Sequence, residues 1–99
     1  MENKTKDTEM LIKAFSLLED KEECEAFLDD LCTSLEIEEM SRRLVAAEML
    51  SRGCQYAEVV LKTGLSTATI SRVSRSLKNG TGYQKIFIYL LLFVSKVTM

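Results

Sequence analysis

Thr67, Ala68, Thr69, Ser71, Arg72 and Arg75 fall at helical spacing on the side opposite Ile70, Val73 and Leu77. Hydroxyls and the free amides of a helix amino terminus bind phosphate oxygens or base edges. A small alanine can touch a thymine methyl, and an arginine can clasp guanine with two parallel bonds. No acid, which phosphates would repel, occurs between Ser66 and Lys78, and these two residues extend the candidate set at its ends. The chemistry such a set suits is recognition of double-stranded DNA.

Bond-making chemistry finds little support. The chain has no histidine and no glycine-rich phosphate loop, and Asp29-Asp30 reads as part of an acidic helix face. Cys54 is the one candidate nucleophile, and no base is identifiable near it. Cys24 and Cys32 on one helix would stand ~12 Å apart, beyond disulfide reach. With three cysteines, no close pair and no histidine, reduced thiols are expected, and neither a metal nor any other cofactor is implied. No enzyme is expected.

Helices must position the recognition set. Proline is absent and glycine occurs four times, while Leu, Glu, Lys, Met and Ala abound, so an all-α fold is expected. At 99 residues, 46% of them hydrophobic, one domain spanning residues 1–99 is the natural count. Leu11, Ala14, Phe15 and Leu18 mark a first amphipathic helix over roughly Asp7 to Glu19. Cys24, Phe27, Leu28, Leu31 and Cys32 mark a second over Glu22 to Thr33, with Asp20 as its cap. Ser34, followed by Ile37, Met40, Leu44, Ala47 and Leu50 and stopped by Arg52-Gly53, marks a third.

After Gly53 two short helices follow, Tyr56 to Thr63 and Ser66 to Leu77, joined at Gly64 and ended by Asn79-Gly80. A helix-turn-helix over about residues 56–77 needs a bracing helix, a sharp turn and a second helix held by a buried stripe. Val59 and Val60 supply the brace, Gly64 the turn, Leu65 the packing beneath it, and Ile70, Val73 and Leu77 the stripe. The last segment, Tyr83 to Met99, contains nine unbroken apolar or aromatic residues from Ile86 to Val94. Such a run is too short to cross a bilayer, and a segment apolar all round must be buried, so it is expected in a subunit interface.

The net charge of −2 hides two opposed halves. Thirteen acids against four lysines leave −9 over residues 1–39. Seven basic residues (Arg42, Arg43, Arg52, Lys62, Arg72, Arg75 and Lys78) against Glu48 and Glu58 leave +5 over residues 40–80, and Lys85 and Lys96 add +2. A basic segment within an acidic protein is the sequence signature of a localised phosphate-binding surface. The start of the chain is polar, without the apolar core of a signal peptide, and a cytoplasmic location with no membrane association is expected.

The block Ser66-Thr-Ala-Thr-Ile-Ser-Arg-Val-Ser-Arg-Ser-Leu-Lys78, preceded by Arg43-Leu44, Glu48, Leu50 and Arg52-Gly53, resembles the Trp repressor family. It is most similar to that family's YerC/YecD Trp-repressor-related branch, and the likeness runs from about Leu17 to Tyr83. The resemblance implies an intertwined helical homodimer presenting two recognition helices, with DNA contacts at Thr67, Ala68, Thr69 and Ser71. It also implies a corepressor pocket at Arg43 and Arg72, with Thr33 and Ser76 at further pocket positions. Two departures bear on that pocket: Val73 replaces a glycine, and the chain is one residue shorter between Gly53 and Ser66. A branched side chain at the floor of the slot should obstruct an indole, so tryptophan is not the expected effector, which stays unidentified. The apolar tail after Ile86 also departs from the polar ending of that branch.

The expected function is that of a sequence-specific transcriptional regulator, a repressor, acting as a homodimer. The rival is a helical protein-interaction module without DNA binding, in which the acidic helices hold a partner and the helix pair is scaffold.

Overall fold

The computed structural model describes residues 1–98 and the side chains of residues 1–93, and all regular structure within them is helical. The helices are α1 (Lys6–Ser16), α2 (Lys21–Leu31), α3 (Ser34–Ser51), α4 (Tyr56–Thr63), α5 (Thr67–Asn79) and α6 (Gly82–Thr98). They fall into two compact units, residues 1–37 and residues 38–99.

In the first unit, local capping sets the helix ends. Thr5 caps α1 by accepting the Thr8 N–H at 3.1 Å. α1 stops at Ser16, short of the expected Glu19, because Glu19 belongs to the entrance of α2. Its N–H donates to the Glu23 carboxylate at 2.9 Å, while the Glu23 N–H donates to Asp20 at 2.9 Å. α2 likewise ends at Leu31 and leaves Cys32 extended, since Thr33 opens the next helix. The Thr33 hydroxyl accepts the Glu36 N–H at 3.1 Å and the Glu36 carboxylate accepts the Thr33 N–H at 2.8 Å, a reciprocal capping box. That backbone N–H, then the Thr33 hydroxyl, holds the Glu36 carboxyl below the usual carboxylate range. Neither α1 nor α2 has a buried residue. Phe15 and Phe27 meet edge to face at 5.2 Å, and Met10, Ile12 and Leu17 are exposed.

The second unit has a small core of Ala46, Ala47, Val59, Leu65, Ile70 and Val73, flanked by Met49, Leu50, Cys54, Val60, Tyr83 and Phe87. On α3 the residues that pack fully are the two alanines, which let the other helices approach closely; Met40, Leu44 and Val45 stay exposed. α3 closes on Gly53, at φ +88°, with the Cys54 N–H donating to the Met49 carbonyl and the Gly53 N–H to the Leu50 carbonyl. This double closure satisfies two carbonyls of the last turn. Arg52, just past it, reaches back to Glu48 with Nε at 2.7 and 2.9 Å from the two carboxylate oxygens.

α6 begins with Tyr83 stacked on Phe87, while the Gln84 side-chain amide donates to the Leu77 carbonyl at 3.0 Å and so finishes α5. From Ile88 to Phe93 its apolar side chains face solvent, Leu91 at 68% and Phe93 at 63% exposure. Val94, which closes the expected apolar run, lies outside the residues whose side chains are described. No helix among the described residues is long and apolar enough to cross a membrane.

Candidate nucleic-acid interface

The α4–turn–α5 segment is built as a bracing helix, a three-residue turn and a second helix. Gly64 sits at φ +72° and donates its N–H to the Val60 carbonyl at 2.8 Å, ending α4 in the left-handed conformation that L side chains resist. Beside it, buried Thr63 donates its hydroxyl to the Val59 carbonyl at 2.7 Å and accepts the Leu65 N–H at 3.2 Å. One hydroxyl thereby ties the last turn of α4 to the residue that packs under the bend. Sequence patterning gives no signal for Thr63, because a threonine at a helix end ordinarily reads as surface.

Ser66 caps α5 by accepting the Thr69 N–H at 3.2 Å, and its own hydroxyl donates to the Thr69 hydroxyl at 3.0 Å. The helix then buries Ile70, Val73 and Ser74 and half-buries Leu77, so the expected inward stripe forms. On the other side Thr67, Ala68, Arg72, Arg75 and Lys78 are exposed, with Thr69 and Ser71 half-buried at the margin. α5 ends on Gly80, which is extended and not left-handed; a Cβ there would lie 2.8 Å from the Ser76 carbonyl oxygen, so the glycine serves close approach.

Ion pairing sorts the basic residues into two classes. Arg42 pairs with Glu38 at 3.6 Å and Glu39 at 3.3 Å, and Arg52 pairs with Glu48. Among the described residues, Arg43, Lys62, Arg72, Arg75 and Lys78 have no carboxylate within ion-pair distance. No acid occurs anywhere after Glu58, so the exposed side of α5 is positive and holds no acid of its own.

Three of the four residues assigned to an effector pocket come together. Arg43 from α3 and Arg72 and Ser76 from α5 line one cleft of about 270 Å³ with Glu39, Thr69, Val73 and Tyr83. Val73 is 3% exposed and forms a wall of the cleft without filling it. Thr33 belongs to the first unit, where it caps α3. Asp29 lies on an exposed acidic patch of α2 with Glu22 and Glu25, and Cys24, Cys32 and Cys54 are free thiols.

Residues 6–91 match the family model of the Trp repressor protein. The uncharacterised protein YerC of Bacillus subtilis (strain 168) is 47% identical over 75 residues, spanning 76% of this chain and 72% of YerC. Two crystal structures share the fold at 44% identity. A TrpR-like protein from Eubacterium eligens superimposes with a TM-score of 0.79, covering 88% of this chain and 91% of that one. A candidate Trp repressor from Staphylococcus aureus gives 0.77, covering 87% of each chain. A family match that runs from α1 into α6, with a relative close to half identical, establishes that the chain belongs to the Trp repressor family, in its YerC-related branch.

Proposed function

We propose that this chain is a sequence-specific DNA-binding transcriptional regulator, a repressor, which acts in the cytoplasm as a homodimer. Each subunit would present α5 to one of two successive major grooves, about 34 Å apart on a pseudo-palindromic site. The observation that carries this reading is the exposed face of α5. Arg72, Arg75 and Lys78 stand there without ion-pair partners among the described residues, beside Thr67 and Ala68, on a stretch of chain that has no acid from residue 59 onward. Membership of the Trp repressor family supports it.

Within that face, Thr67, Ala68, Thr69 and Ser71 are the residues assigned to base edges and flanking phosphates, with Arg72, Arg75 and Lys78 supplying positive charge. Ser66 contributes by fixing the start of α5, since its hydroxyl is engaged by Thr69. Homodimerisation is supported by apolar side chains left uncovered on α1, α3 and α6, and free thiols suit a reducing compartment.

Tryptophan is not the effector in this reading. The cleft between Arg43 and Arg72 is walled by Val73, a stiff branched residue where the tryptophan-binding relatives are expected to carry glycine, and this altered wall is what argues against an indole.

The decisive experiment is retention of genomic DNA fragments by the purified protein at two salt concentrations, followed by footprinting. Retained fragments with paired half-site footprints, weakening as salt rises, are expected. Failure to retain any fragment at low salt would remove the proposal.

A further inference from the structure

We infer that the cleft lined by Arg43 and Arg72 receives a backbone phosphate of the bound DNA, so that DNA binding requires no small-molecule effector. The inference rests on the DNA-binding reading above and specifies what occupies this cleft.

Two guanidinium groups from different helices, Arg43 on α3 and Arg72 on α5, line one cavity of about 270 Å³, and neither has an acidic partner among the described residues. Like charges sharing a cleft raise its energy until an anion enters, and the guanidinium fork matches the oxygens of a phosphate. Glu39 also lines the cleft, but Arg42 engages its carboxylate at 3.3 Å, so a net positive charge remains. Thr69, Ser76 and Tyr83 add hydroxyls that suit a compact, hydrated oxyanion, and Val73 is the single aliphatic residue of the lining.

Position favours DNA as the source of that oxyanion. Thr69 and Arg72 line the cleft from the first turns of α5, the same turns that expose Thr67 and Ala68. A helix seated in a major groove is flanked by sugar-phosphate backbone, so a phosphate is delivered to the cleft when α5 docks. A free anion of similar charge could bind the same fork, and the test separates the two sources.

Fluorescence anisotropy of a retained DNA fragment is measured across a salt series with dialysed protein and no added small molecule. The full-length chain is compared with Arg43→Gln, Arg43→Lys and, as a control for the groove face, Arg75→Gln; circular dichroism checks that each is folded. The expected result is tight binding by the unmodified chain. Arg43→Gln should flatten the slope of log affinity against log salt by about one, while Arg43→Lys keeps the slope. Inorganic phosphate, substituted for chloride at fixed ionic strength, should weaken DNA binding by the unmodified chain and affect Arg43→Gln less. An unchanged slope in Arg43→Gln, with Arg75→Gln weakened, would overturn the phosphate assignment and leave the DNA reading standing. Tighter binding on adding inorganic phosphate would also overturn it, since the cleft would then serve a free effector. A lack of effect in both substitutions would overturn the phosphate assignment and place the DNA-binding face away from α5, whereas absence of binding by the unmodified chain would remove the DNA reading itself.

Discussion

The hydroxyl of Thr63 donates to the carbonyl of Val59, one turn earlier in α4, at 2.7 Å, in a site only 9% exposed. Because the same oxygen accepts the Leu65 N–H, the turn before α5 depends on one side chain. Thr63→Val keeps the shape but orphans that amide, and a buried unsatisfied donor costs about 1–3 kcal/mol. Urea unfolding at fixed protein concentration should show that loss, and Thr63→Ser should recover most of it.

Gly64 offers a separate test of the turn. Nothing lies within 4 Å of a Cβ built on it, so Gly64→Ala isolates the cost of the left-handed backbone at φ +72°. A loss of about 1–2 kcal/mol is expected in the same unfolding experiment, and a smaller one for Gly64→Asn. Equal stability of all three proteins would mean that the turn relaxes.

Arg75 is exposed on α5 and carries no ion pair among the described residues, so its removal should leave helical content by circular dichroism unchanged. Binding to a retained fragment should weaken by about 1–3 kcal/mol if the arginine reads a base, or lose about one unit of salt slope if it holds a phosphate. Unchanged affinity and slope would place the binding face elsewhere.

Dimerisation is tested by light scattering at micromolar concentration, where a mass near twice 11.2 kDa is expected. A clean monomer would end the two-half-site arrangement.

Isothermal titration with L-tryptophan should give no saturable heat. Micromolar binding accompanied by tighter operator binding would show that the Val73 wall moves aside, and would return the cleft to an effector.

Helix ends were the most legible part of the fold, because caps are local: Asp20, Gly53, Gly64 and Ser66 each act within a few residues of where they stand. Misplaced ends arose where two signals compete for one short linker. Glu19 and Thr33 extend the preceding apolar pattern, yet both serve the entrance of the next helix. On α3 the pattern Met40, Leu44, Ala47 marks a face without saying which part of it this chain covers, and it is Ala46 and Ala47 that are buried. The recognition set was readable because its inward stripe is regular. The pairing of Arg43 with Arg72 across the cleft came only with the resemblance, since no periodicity links residues so far apart in sequence.

The absence of any buried residue in α1 and α2 has a thermodynamic consequence. A helix pair without an interior of its own keeps its arrangement only while some other surface is supplied, and supply follows mass action. If that surface is the partner subunit of the proposed homodimer, the melting temperature of this segment should climb with the logarithm of protein concentration, and dilution alone should loosen it. Hydrogen exchange would then register the amino-terminal amides as a gauge of assembly while those around Ile70 hold their protection.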